Sequence, residues 1–454
     1  MKVTVLSGSP KGEYSISLQY FRFIAKHTQN LDYTIFHIGE QINKIKNSES
    51  ELLKIIDSIR KSDCIIWVFP VYHFLVPAQL KEFIEIVNTK NYSDCFKNKY
   101  STSIITSIHF YDTLAENYIH AVSEDFGMKY VPGFLAEMTD LKKVEKQNEL
   151  LDFGRRFFQN INDNKIVPKI YNIINKEVIP YTPLFSESRN KDNNYKIVLI
   201  TDNSSNKENL KNMITVFTNN LKNNIELINL DELETKGGCL GCCSCGYDNI
   251  CVYNDKMNSF LHNSFLNSDS IVIASEIKDR YFSWQIKRFW DRTFTHGHKP
   301  VLENKKLLYI ISGALSENTV LKSEIEARSS VSKAPIIDIV CDEFISSEAL
   351  TKHLIQAGND LIESITENRK AQENFHFIAG HKIFRDFVYL IKFVFRADHI
   401  FYKKNNYYDF PQKKIGLRII NRILMLILKF KPFRVEFQKR TKPSMVAALK
   451  KIAD

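Results

Sequence analysis

Residues 1–17 read MKVTVLSGSPKGEYSIS, and this opening decides the architecture. Residues 2–6 form a β-branched, largely apolar run, Ser7 to Gly12 make a Ser/Gly/Pro loop, and a helical pattern starts near Ser15. A strand passed to a helix by a short glycine-bearing loop is half of a βαβ unit, so it predicts parallel strands. The alternation continues outward. Strands are expected at 33–37, 64–68, 101–106 and 130–135, with helices at 51–60, 78–88 and 114–126 between them. The run 64–68 is apolar without a break, as in a strand covered on both faces. The prediction is a doubly wound α/β domain with a five-stranded parallel sheet.

The pattern then repeats. Residues 196–200 match 2–6 at an offset of 194, and Ser268, Asp269 and Ser270 match Ser62, Asp63 and Cys64 at 206. The 206 offset holds for Gln285, Ile286 and Lys287 against Gln79, Leu80 and Lys81, and for Ile310 and Ile311 against Ile104 and Ile105. A fixed register over so many residues predicts two tandem copies of one domain rather than a solenoid. The offset grows by 12 after the second strand, where a cysteine-rich segment is inserted. The expected organisation is a domain over 1–164, a linker over 165–194 bearing Pro168, Pro180 and Pro183, a second domain over 195–370, and a basic helical extension over 371–454.

Charge is unevenly spread. The whole chain carries +10, yet residues 381–454 hold 18 Lys and Arg against 5 Asp and Glu, so the remainder is slightly acidic. With 44% hydrophobic and 25% charged residues the composition is that of a folded globular protein. Any anionic partner must therefore meet the tail. Three readings of the tail stay open: a helical extension packed on the second copy, an amphipathic segment on anionic lipid, and a nucleic-acid surface. The first is preferred, no nucleic acid is expected, and peripheral membrane contact is the alternative. The N-terminus lacks the apolar core of a signal peptide, and no run reaches eighteen apolar residues, so a cytoplasmic protein is expected.

The loop after the first strand has the make-up of an anion site: Ser7, Ser9, Ser15 and Ser17 offer hydroxyls and Lys11 a charge, at a helix N-terminus. It is not a nucleoside-triphosphatase loop. After the third strand comes Pro70, Val71, Tyr72, His73 and Phe74, then Pro77, Ala78, Gln79, Leu80 and Lys81. An apolar, aromatic loop at the carboxyl end of a parallel strand suits a flat heterocycle. Together these two segments resemble the NADPH-dependent FMN reductases of the flavodoxin-like fold, across residues 1–150 and less fully across 195–370. The resemblance implies FMN as cofactor and NAD(P)H as donor. It implies that Ser9, Lys11, Ser15 and Ser17 hold the phosphate, with Ser7 counted among the cofactor-binding residues, that Pro70 to Phe74 border the isoalloxazine, and that Thr106, Ser107 and His109 form a third contact loop. The family carries Arg where Lys11 stands, so a bidentate phosphate grip is not implied. No catalytic residue is assigned; Tyr72, His73 and His109 are the candidates.

In the second copy the corresponding loop, 201–207, lacks glycine and puts Asp202 where Gly8 stands, which opposes a phosphate. Instead this copy carries Cys239, Cys242, Cys243, Cys245 and Cys251. Taking Cys239, Cys242, Cys245 and Cys251 as ligands gives C-x2-C-x2-C-x5-C, which suits a [4Fe–4S] cluster, with zinc or an empty thiol loop as alternatives. The arrangement looks like the iron–sulfur flavoproteins. The expected function is an FMN-dependent oxidoreductase moving electrons between NAD(P)H or another small-molecule or protein partner, the flavin and the cluster. The alternatives are a non-catalytic electron-transfer protein and a simple FMN reductase. A homo-oligomer is compatible with either.

Overall fold

A computed structural model describes residues 1–174, 179–183, 195–202, 208–221, 225–408 and 415–453. The chain divides into two units. The first comprises 1–173, 238–242 and 435–454, and the second 174–237 and 243–434.

In the first unit, β1 (Lys2–Ser7) is buried at every position after Lys2 and leads to α1 (Ile16–Lys26). Then come β2 (Asp32–Phe36), α2 (Ile38–Asn47), α3 (Glu49–Lys61), β3 (Cys64–Pro70), α4 (Ala78–Thr89), β4 (Tyr100–Ser107) and α5 (Asp112–Asp125). The edge is made by two short strands, β5 (Lys129–Tyr130) and β6 (Phe134–Glu137), both parallel to β4. The expected single edge strand is thus broken at Val131, Pro132 and Gly133, because proline cannot donate to the ladder, and the sheet has six strands rather than five. The order β2-β1-β3-β4-β5 reverses direction beside β1, leaving a crevice at the carboxyl ends of β1 and β3. α2 was not anticipated. Its buried Ile38, Ile42 and Ile45 give a clear apolar face, but α3 follows after only Ser48, so the two helices read as one ambiguous polar stretch. α6 (Val144–Asn162) closes the far face with Leu150, Phe157 and Phe158 in the core.

The second unit repeats the topology. β7 (Ile197–Thr201), α7 (Glu208–Leu221), β8 (Ile225–Asn229), α8 (Lys256–Phe260), β9 (Ser270–Glu276), α9 (Trp284–Arg292), β10 (Lys306–Ser312), α10 (Thr319–Ser332), β11 (Ile336–Cys341) and α11 (Ser347–Thr366) give the order β8-β7-β9-β10-β11. The sequence offset recurs in the pairing. Cys64 faces Tyr100 in the first sheet and Ser270 faces Lys306 in the second, both displaced by 206. Even a buried ion pair recurs: Lys81 with Glu85 at 3.0 Å, and Lys287 with Asp291.

The region expected to link the domains is described at 165–174 and 179–183. Tyr171 N–H donates to Glu124 in the first unit, while Tyr181 joins the second core and its phenol bonds Thr351. The basic region forms α12 (Phe375–Leu390), α13 (Arg396–Lys404), α14 (Ile415–Ile427) and α15 (Lys431–Ala453). Its end departs from the expected extension: Leu449 and Ala453 lie in the first unit's core with Val3, Val5 and Leu18. Apolar residues spaced for one helical face find a partner there that only the tertiary fold supplies.

Candidate functional site

Three loops meet at the carboxyl ends of β1, β3 and β4. The first begins where Gly8 N–H donates to the Val68 carbonyl at 2.8 Å, tying the loop to β3. Gly8 is required by close approach, since a Cβ there would lie 2.5 Å from Leu80 Cδ2. Ser9, Ser15 and Ser17 are buried, as is Ser7. Ser15 caps α1, its hydroxyl accepting from Leu18 N–H at 3.3 Å, the local reason the helix starts where it does. Ser17 Oγ shares a 2.6 Å hydrogen bond with Thr106 Oγ1, which joins the first loop to the third. Lys11 Nζ lies 3.5 Å from Met445 Sδ of α15. The Glu40 carboxylate rests against Gly12 and brings negative charge to the same loop.

The second loop turns tightly. Tyr72 N–H donates to Leu75 O at 2.8 Å and Leu75 N–H returns to Tyr72 O at 3.0 Å, with His73 and Phe74 both at positive φ (37° and 72°). Val71 N–H donates to Thr106 O at 3.0 Å. Tyr72 and Phe74 are buried, and Phe74 meets Tyr111 edge to face at 4.9 Å. In the third loop His109 Nδ1 bonds Asp112 Oδ2 at 2.8 Å, and the Ser107 hydroxyl donates to that oxygen at 3.2 Å while accepting from His109 N–H. Burial pushes the Tyr111 phenol up to about 12, so it stays neutral. The residues expected to contact flavin therefore stand at the carboxyl ends of β1, β3 and β4, on the loops that follow and at the start of α1, all in one unit.

Residues 1–139 match the family model of NADPH-dependent FMN reductases. The match spans most of the first domain and leaves residues 140–454 outside it. Solved structures similar to the chain include the flavoenzyme NAD(P)H:(acceptor) oxidoreductase of Paracoccus denitrificans, at 17% identity and TM-score 0.30, covering 36% of this chain and 97% of that one. General stress protein 14 of Treponema denticola in complex with FMN aligns at 13% identity and TM-score 0.27, covering 36% and 98%. An FMN-dependent NADH-azoreductase of Bacillus anthracis aligns at 15% and TM-score 0.25, covering 34% and 98%. No curated protein sequence matches the chain.

The first domain fits a flavin mononucleotide on its own geometry. Ser7 Oγ is buried and has no hydrogen-bond partner among the described residues, so a phosphate oxygen would satisfy a group that otherwise costs stability. The same domain contains a segment that sequence reading assigned to the second copy. Residues 238–242 pack with the first unit. Gln79 Nε2 donates to the Cys239 carbonyl at 3.1 Å, and a Cβ on Gly241 (φ 60°) would overlap the Tyr72 hydroxyl and stand 2.9 Å from Lys11 Cε. Gly241 N–H donates to Cys239 Sγ at 3.4 Å. The only forewarning in the sequence was the run of glycines at 237, 238 and 241, which marks close backbone approach.

The expected four-thiol centre finds no support among the described residues. Cys239 and Cys242 belong to the first unit and Cys245 and Cys251 to the second, and among the described residues no three His, Cys, Asp or Glu side chains gather to hold one metal. Cys243 is left-handed (φ 58°) and a 3-10 turn follows at Ser244–Gly246.

In the second unit Asp202 Oδ2 accepts from the Ser275 hydroxyl at 2.9 Å and from the Ser283 hydroxyl, the residue that caps α9. Burial nevertheless raises the Asp202 pKa above the usual carboxylate value. The second copy thus carries a buried side chain at the position matching Gly8. The tight turn survives, with Asp279 and Arg280 at positive φ where His73 and Phe74 stand, and Lys278, Asp279 and Arg280 replace Tyr72, His73 and Phe74. Residues 203–207 of the corresponding loop lie outside the described residues.

Proposed function

We propose that the first domain binds FMN across the loops after β1, β3 and β4 and works as an NAD(P)H-dependent flavin oxidoreductase. The observation that carries this reading is the convergence of those loops, locked by the Ser17–Thr106 hydrogen bond, in a domain that matches the FMN reductases. Bound flavin would supply two-electron and one-electron redox chemistry between a nicotinamide donor and an acceptor. The chain's own part is to hold and orient. Ser7, Ser9 and the Lys11 ammonium receive the phosphate, and Ser15 and Ser17 shape the loop through their caps and cross-links. Pro70 to Phe74 form the apolar border of the ring, and Phe74 is braced by Tyr111. His109, oriented by Asp112, is the group best situated to donate a hydrogen bond at the rim. Titrating purified protein with FMN while following flavin fluorescence, then measuring NAD(P)H oxidation, tests the reading. Absence of saturable binding overturns it.

The finer reading adds a [4Fe–4S] centre on Cys239, Cys242, Cys245 and Cys251. Its support is the cysteine spacing and the contact of the 238–242 segment with Gln79. Among the described residues no three metal-ligating side chains gather, so no step is routed through a cluster. Iron and sulfide analysis of anaerobically purified protein tests it, with about four of each per chain expected if it holds.

A further inference from the structure

We propose that α14 is a docking face for an anionic phospholipid surface. The starting point is its sequence, in which Ile415, Ile419, Ile423 and Leu426 recur every three or four residues. At 100° per residue they share a stripe about 80° wide. A helix with such a stripe normally turns it to the core. Here it faces outward: the four side chains are 67%, 54%, 52% and 59% exposed. Ile420 and Ile427 widen the face, and Phe430 and Phe433 extend it beyond the helix at 65% and 59%.

The helix is held by its other side. Asn421 is buried, with its Nδ2 donating to the Leu390 carbonyl at 2.8 Å, and Leu428 is buried just past the helix end. The stripe is therefore not core left over by poor packing; it is opposite the packed face. A contiguous apolar patch of this kind marks an interaction site.

Charge selects the occupant. Residues 415–435 contain Arg418, Arg422, Lys429, Lys431 and Arg434 and no acidic residue. On the helical wheel Arg418 and Arg422 border the stripe on one side. An apolar stripe edged by cations, with no carboxylate to answer a basic partner, matches the boundary between anionic headgroups and acyl chains. Thirteen residues reach only about 20 Å, and no described helix is long and apolar enough to cross a membrane. α14 lies along the surface.

The experiment is co-sedimentation of the full chain with vesicles of phosphatidylcholine alone or with 30–40% phosphatidylglycerol, roughly the anionic content at which basic segments respond. The wild type is expected to pellet with anionic vesicles and to be released by about 1 M salt, where the Debye length is near 3 Å. I419E/I423E is expected to abolish pelleting, and R418Q/R422Q to weaken it roughly fivefold per cation removed. Far-UV circular dichroism and the thermal midpoint of each variant establish that it folds. A wild-type chain that stays in the supernatant at every lipid composition overturns the proposal. So does pelleting that both variants retain. A concentration-dependent dimer in light scattering that I419E/I423E dissolves, without vesicle binding, assigns the face to a second copy instead and overturns it equally.

Discussion

The Gln79 side-chain amide donates to the Cys239 carbonyl at 3.1 Å, so a residue at the start of the helix that follows the loop after β3 holds a cysteine segment 160 positions away in sequence. A glutamine at this place ties residues 238–242 into the first unit, although the chain on either side of them belongs to the second.

That bond is the basis of the first prediction. Gln79→Leu keeps the volume and removes the donor, and a hydrogen bond of this kind contributes about 1 kcal/mol net. The 238–242 segment should open more often, and alkylation of Cys239 and Cys242 should speed up roughly fivefold, read by mass spectrometry of peptides after timed exposure to a maleimide. Unchanged rates would mean that the contact with Tyr72 and Lys11 suffices.

Gly8→Ala should damage the first domain selectively. Its Cβ would press on Leu80 Cδ2 at 2.5 Å, and relieving such overlap costs about 1–3 kcal/mol. The denaturant midpoint should fall and FMN affinity should drop with it, because the loop must move away from β3 to accommodate the methyl group.

Glu40→Gln should act in the opposite sense on flavin. The carboxylate lies against Gly12, on the loop proposed to receive a dianionic phosphate. Removing its charge should tighten FMN binding a few-fold at low salt, by about 1 kcal/mol, with the gain shrinking as ionic strength rises. Calorimetric titration at two salt concentrations checks both the sign and the salt dependence.

The second unit should lose stability in mild acid. Burial, then the charges of Lys299 and His262, lowers the His296 pKa to about 4, and burial, then Lys392 and Lys403, does the same for His399. The unfolded chain takes up these protons near pH 6.5. Between pH 6.5 and 4 the unfolded state therefore binds more protons than the native one, and stability falls as pH falls through that window. Urea unfolding of wild type and of His399→Gln at pH 7.5, 6 and 5 should show the slope becoming shallower in the variant. Equal slopes would assign the acid sensitivity elsewhere.

Much of the fold was legible because the relevant signals are local. The unbroken apolar runs at Val3 to Leu6 and Cys64 to Val68 announce buried parallel strands, and the 206-residue offset carries through to the facing residues of both sheets. The left-handed pair after the third strand recurs as Asp279 and Arg280 although its residue types changed, because backbone geometry there is imposed by the Lys278–Tyr281 pairing. What could not be read was partnership. Nothing local to Cys239 says that Gln79 will hold its carbonyl, and nothing local to Leu449 says that it will pack with Val3.

The sequence by itself determined the strand–helix alternation, the two-fold recurrence and the loops that face one another at the switch point, since hydrophobic periodicity and turn chemistry act over a few residues. Only the tertiary structure decided which unit receives the cysteine turn, where the basic tail ends and which face of α14 is left open. Those outcomes depend on burial between segments hundreds of residues apart, where the free energy comes from surfaces that meet only once the chain has folded.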